Sequence, residues 1–162
     1  MKPTLQAGLT SSVTFDVTRD RTIDFMGEQA RVYATPMLVR DIEIACRELL
    51  LPHLDAGEDS VGTRVEIDHI GATLMGMTVT LNLKLISVEG RAVVFEVSGS
   101  DSVEPIVRGK HSRFIVDVAK TAQRLAAKRL KDTQGRSQGS LAPAGGGSPQ
   151  GGPGGTEKVG LV

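Results

Sequence analysis

Tryptophan is absent from this 162-residue sequence, and one tyrosine and four phenylalanines are its only aromatic rings. None of them is spaced on a strand among basic residues, so platforms for stacking nucleobases are few. Net charge is missing as well: 19 basic side chains balance 19 acidic ones, which removes bulk attraction to nucleic acid or an anionic membrane. The single cysteine, Cys46, excludes an internal disulfide framework and a Cys-rich zinc site, and it fits a reducing compartment. No run approaches the roughly 18 apolar residues of a spanning helix, and the opening MKPTLQAGLTSSVTF lacks the apolar core of a signal peptide. A soluble, cytoplasmic protein is expected. Also lacking are a Gly-rich phosphate loop with a lysine, a G-x-S-x-G elbow, histidines paired at metal-ligand spacing and a dinucleotide fingerprint after a strand. Neither a metal nor a nucleotide cofactor is expected.

What is present divides unevenly. Ten of the 19 glycines and three of the seven prolines lie from Gly135 onward. That stretch cannot bury enough apolar surface to offset the entropy of ordering it. Residues 1–132 are therefore expected to form one domain, and residues 133–162 a disordered Gly/Pro/Ser-rich tail. Just before the tail, AKTAQRLAAKRLKD reads as a solvated basic helix.

The segment ATPMLVRDIEIACRELLLPHL is the most informative. Thr35 followed by Pro36 marks a helix start, with the threonine oxygen able to cap a free backbone NH. Leu38, Ile42, Ala45, Cys46 and Leu49 then form one apolar stripe, ended by Pro52 and Gly57. Glu43 falls at the margin of that stripe, so its carboxylate is partly drawn inward. After the helix the period changes to two. Val61, Thr63, Val65, Ile67 and His69 are predicted to share one face of a strand, with Arg64, Glu66 and Asp68 on the other. Met77 to Leu85 alternates cleanly, Glu89-Gly90 reverses the chain into RAVVFEVSGS, and Pro105 to Val118 makes another long run. With SVTFDV near residue 13, about five strands surround one long helix. Such an order cannot be packed as alternating βα units, so an α+β antiparallel sheet with the helix against one face is expected.

Three side chains are candidates for chemistry: Thr35 at the helix start, Glu43 two turns on, and His69 on the inward face of a strand. Together a hydroxyl, a carboxylate and an imidazole suit acyl transfer, one activating a nucleophile, another managing protons, with backbone NH groups stabilising an oxyanion. Each also has a plainer use, as a cap, a rim carboxylate or a core histidine. His53 is expected at the surface; the facing of His111 is left open.

Read in order, ATPMLVRDIEIACRELLLPHL, SVGTRVEIDHIGATLMGMTVT, SVEGRAVVFEVSGSD and GKHSRFIVDVAK resemble the hot-dog-fold thioesterases related to fluoroacetyl-CoA thioesterase, over most of residues 10–120. The resemblance implies a hot-dog fold, a long central helix wrapped by a curved antiparallel β-sheet, paired into a homodimer with sites at the interface. It implies Thr35, Glu43 and His69 as the catalytic set, with Gly62 and Arg113 binding substrate. The substrate it implies is an acyl-CoA, so CoA enters as part of the substrate and no separate cofactor is needed. Met26 and Gln29 stand near positions where the fluoroacetyl-specific enzyme carries covering aromatics, which points to a broader short- or medium-chain acyl-CoA hydrolase. Whether Glu43 activates water or attacks the acyl carbon itself is open at this point. The other reading of the same cleft is a non-catalytic acyl-CoA or small-ligand binding module. A hydratase of this fold fits less well, since Asp68 directly precedes His69 and the two side chains point to opposite faces.

Overall fold

The computed structural model describes residues 1–139. Met1–Arg124 make one compact unit. Its strands are β1 (Thr10–Asp16), the short β2 (Thr22–Ile23) and β3 (Val32–Tyr33), then β4 (Glu58–His69), β5 (Thr78–Glu89), β6 (Ala92–Asp101) and β7 (Pro105–Asp117). Helix α1 (Thr35–Leu50) follows β3, and α2 (Val118–Gly139) continues directly from β7. Helix α2 is solvated, as its composition predicts, and it runs through Gly139, across the first residues expected as coil. It crosses the boundary after Arg124, and residues 140–162, the rest of the expected tail, lie outside the described residues. No helix among the described residues is long and apolar enough to cross a membrane.

The five long strands form one antiparallel sheet in the order β1-β5-β6-β7-β4, while β2 and β3 pair separately. Leu38, Ile42, Cys46 and Leu50 of α1 are buried together with Val79, Leu81, Leu83 and Leu85 of β5 and Val93, Phe95 and Val97 of β6. Each such side chain contributes roughly 1.5–3 kcal/mol of burial. The alternation expected for β5 is realised, and Gly90, at φ 59°, makes the tight β5–β6 turn. Register shifts at Gly62/Arg64, Leu85/Ser87 and Gly99/Ser100 bend the strands around the helix.

The first of these shifts corrects the facing predicted for β4. Gly62 lies opposite Arg113 and Val65 opposite His111, both of which face the helix, while Val61 lies opposite the exposed Phe114. Thr63 is the extra residue of a bulge, which reverses the alternation. Ser60 and Gly62 therefore share the inward face with Val65, Ile67 and His69, and Val61 points outward.

Candidate functional site

Helix α1 begins with Ala34 at its cap, the Ala34 carbonyl accepting from the NH groups of Met37 and Leu38. Thr35 is the first helical residue and caps nothing, contrary to expectation, because its hydroxyl is engaged elsewhere: it hydrogen-bonds His69 Nδ1 at 2.9 Å. His69 ends β4 on the inward face, opposite Val107. Burial holds its pKa below the ordinary imidazole value, the Gly71 backbone partly opposing, so the ring is neutral at neutral pH. Its Nε2 is buried and forms no hydrogen bond, which is true of no other buried side-chain nitrogen or oxygen among the described residues. The Tyr33 ring meets the imidazole edge-on, with centroids 6.2 Å apart. Thr35 and His69 open into a cavity of about 260 Å³ lined also by Ile23, Phe25, Val32 and Ile70. A hydroxyl beside a neutral imidazole can pass a proton in either direction.

Glu43 is not part of this pair. Eight residues of helix separate it from Thr35, about 12 Å of rise. Its carboxylate instead lies against Gly62, so close that a Cβ there would fall 2.1 Å from Glu43 Oε1. Gly62 is itself about 20 Å of strand away from His69. The three-way meeting expected of Thr35, Glu43 and His69 is thus divided within one chain into a hydroxyl–imidazole pair and a separate carboxylate. The Glu43 side chain is 42% exposed. Beneath it sits Arg113, only 4% exposed. Arg113 donates through Nε to Ser60 Oγ (2.9 Å), through Nη2 to the Ser60 carbonyl (2.7 Å), and through Nη1 to the Glu43 carbonyl (3.1 Å) and His111 Nε2 (3.2 Å). Four of its five N–H donors are engaged within the protein, and it projects positive charge toward Glu43.

A family model described as the fluoroacetyl-CoA-specific thioesterase matches residues 17–119, a span that holds α1, β4 and both halves of this geometry. The chain belongs to that family. Within it, the fluoroacetyl-CoA thioesterase of Streptantibioticus cattleyicolor is 40% identical over 93 residues, 57% of this chain and 67% of that protein. A solved structure of the fluoroacetyl-CoA thioesterase FlK is 32% identical with a TM-score of 0.71, covering 76% of this chain and 97% of that one. A thioesterase superfamily member from Thermus thermophilus, 29% identical, superposes with the same TM-score over 84% of this chain and 99% of its own. The hot-dog architecture of these thioesterases is the α+β fold found here: a long helix against a curved five-stranded antiparallel sheet.

Two residues of this family member were not singled out in the sequence. His111 is fully buried between β4 and β6, opposite Val65 and Phe95. Its Nδ1 lies 3.0 Å from the Arg64 carbonyl, which only accepts, and its Nε2 meets Arg113, which only donates. The ring is therefore neutral with the proton on Nδ1, and burial followed by the Arg113 charge lowers its pKa. A signal existed, since His111 and Arg113 fall on one face of a period-two run that ends in the buried Ile115. The other residue is Asp41, 7% exposed on α1, which accepts from Tyr33 Oη at 2.7 Å and Arg21 Nε at 2.9 Å. It falls three residues after Leu38 and four before Ala45, within the apolar stripe, where an acid calls for partners. Among the described residues no group of three or more His, Cys, Asp or Glu side chains is placed to hold a metal ion.

Proposed function

We propose that this chain hydrolyses short- or medium-chain acyl-CoA thioesters to the free acid and CoA. The observation that carries the reading is the Thr35–His69 hydrogen bond at the mouth of a small, largely apolar cavity, in a chain of the thioesterase family. The carboxylate of Glu43 accepts no hydrogen bond within the described chain, and we assign it the activation of water. Hydroxide adds to the thioester carbonyl, the oxyanion is met by the backbone NH of Gly62 beside the interrupted ladder, and the C–S bond then breaks. A thiol pKa of about 8.5 lets CoA depart as thiolate with little acid assistance, so nucleophile activation and oxyanion stabilisation carry most of the barrier. Thr35 orients the acyl group, and the proton that Glu43 takes from water passes by way of His69 to the thiolate. Arg113 places positive charge beneath the Glu43 carboxylate. CoA enters only as part of the substrate, and no further cofactor has a step in this scheme.

We assign the working unit as a homodimer with the site between two copies, Thr35 and His69 of one chain facing Glu43 and Gly62 of the other. Three features support this: the separation of the two half-sites within one chain, the free edge of β4, and the exposure of Val61 and Val65 on that strand. A strand of this length with one open edge is a template for a second copy. The cytoplasm is the proposed location, which suits a chain whose one thiol is buried and reduced.

The test is CoA release from a panel of acyl-CoA thioesters. The parent is expected to turn over short-chain members, and Glu43→Ala and His69→Ala to lose at least 100-fold in kcat/KM. Equal rates for parent and both variants overturn the site assignment, and saturable binding without CoA release identifies a binding module instead.

A further inference from the structure

Residues 22–32 form a strap that runs out along β2 after Arg21 and back along β3 to Tyr33, carrying Ile23, Phe25 and Val32 to the wall of the Thr35–His69 cavity. Phe25 is 77% exposed, so its own burial does not hold it there. The stems of the strap do hold: the Arg21 carbonyl accepts from Ala34 NH at 2.9 Å, and Tyr33 NH donates to the Thr73 carbonyl at 2.8 Å. Both stems then converge through side chains on one atom. Asp41 Oδ2 accepts from Arg21 Nε on the entering stem and from Tyr33 Oη on the leaving stem. The guanidinium is steadied from the sheet side by Phe15, whose ring centroid lies 5.1 Å from Arg21 Cζ. Asp41 belongs to the rigid, packed face of α1, behind the Tyr33 ring, and touches neither the cavity nor the reacting groups.

We propose that Asp41 is a positioning residue that clamps the 22–32 strap over Thr35 and His69, and that this clamp sets the length of acyl chain the cavity accepts. The inference rests on the thioesterase reading and extends it from reaction class to specificity. A carboxylate shared by the two stems acts as a cross-link from the base of the loop to α1. The β2–β3 ladder, Arg31 on Thr22, Asp24 and Glu28, and Arg19 on Glu28 hold the strap together, but none of these reaches the helix, so Asp41 is the tie that keeps the apolar wall close over the cavity. Short acyl groups need the close wall, while longer ones gain from its withdrawal.

The full-length chain, Tyr33→Phe and Asp41→Asn are compared in two measurements. In the first, kcat and KM are determined for acetyl-CoA and hexanoyl-CoA; the acetyl-to-hexanoyl ratio of kcat/KM is expected to fall at least fivefold in both variants, mainly through KM for acetyl-CoA. In the second, backbone hydrogen exchange at residues 22–32 is expected to accelerate at least tenfold while exchange in β5 and β6 is unchanged. A ratio within twofold of the parent overturns the proposal, whatever the exchange shows, and so does unchanged exchange in the strap. Should Asp41→Asn fail to fold, Tyr33→Phe, which keeps the packed ring and loses only the donor, decides alone. A parent that releases no CoA overturns the thioesterase reading instead, and the clamp is then judged by exchange and by the ratio of acetyl-CoA to hexanoyl-CoA binding constants.

Discussion

Gly62 and Glu43 divide one small volume: the residue without a side chain leaves room for the carboxylate, which rests where a Cβ would be. Gly62→Ala therefore displaces mainly the far end of a flexible, half-exposed side chain, and asks the buried His111 ring, whose Cε1 would lie 3.2 Å from the new Cβ, to give by only a few tenths of an ångström. The expected result is a thermal midpoint within a few degrees of the parent with at least a tenfold loss of kcat/KM, read by calorimetry and CoA release on one sample. A large drop in stability would mean that Gly62 serves the strand and not the carboxylate. His69 and His111 share a different property, since burial lowers both pKa values and both rings are held neutral. An unfolded imidazole binds its proton near pH 6.5, so below that value the unfolded chain takes up protons that the folded chain refuses. The stability tied to these neutral rings is complete above about pH 6.5 and declines as pH falls through the lowered folded values. Urea midpoints between pH 7.5 and 5 are expected to fall, and His111→Gln, already neutral, to flatten the fall; an equally steep decline in that variant would assign the effect to other groups. In the proposed mechanism the acid limb of kcat/KM belongs to His69 and is expected below pH 6.5 for the same reason.

At the scale of elements, the sequence announces periods well and interruptions poorly. The α1 stripe, the alternation of β5 and the reversal at Glu89-Gly90 were legible because each repeats a rule over several residues. The bulge at Gly62/Arg64 breaks such a rule at one position, and it is what turns Gly62 toward the helix and Val61 away from it. A meeting of Thr35 with His69 was expected from the set of three; that the hydroxyl leaves the helix cap for a partner 34 residues on was not, because a cap is read as a local bond. Asp41 stayed hidden for a similar reason: its partners, Arg21 and Tyr33, flank a strap with no period at all and lie 20 and 8 residues away in sequence. The strand pair β4–β7 offers a contrast with Gly62. At Gly109, φ is 152° and an added Cβ would fall 2.2 Å from the Glu66 carbonyl oxygen and 2.6 Å from Ile67 Cα, both backbone atoms of the neighbouring strand. Backbone in a ladder cannot step aside as a glutamate tip can. Gly109→Ala is expected to cost about 1–3 kcal/mol or more of stability by urea unfolding, the scale of forced overpacking. The same substitution thus strikes activity at one glycine and folding at the other, and a Gly109→Ala chain as stable as the parent would contradict the close approach of β4 and β7.

At the scale of the molecule, the question is how a hydroxyl–imidazole pair and a carboxylate some 12 Å of helix apart serve one reaction. In the homodimer proposed above, a two-fold axis answers it without moving either group, since an isologous interface would present the second half-site of each chain to the first half-site of its partner. The consequence is a complementation that no single-chain site can imitate. A Glu43→Ala chain keeps Thr35 and His69, and a His69→Ala chain keeps Glu43 and Gly62. Each homodimer is inactive. When equal amounts are unfolded together and refolded, half of the dimers are mixed, and in each of those one site inherits an intact pair from one chain and an intact carboxylate from the other, while the second site has lost both. Random pairing thus restores about a quarter of the parental CoA release per chain. Sedimentation equilibrium of the parent at twice the chain mass is the accompanying requirement. A mixture as inactive as its components, in dimers shown by mass to be mixed, would place all three groups in service within one chain and require Glu43 to reach His69 by a rearrangement of α1 against β4.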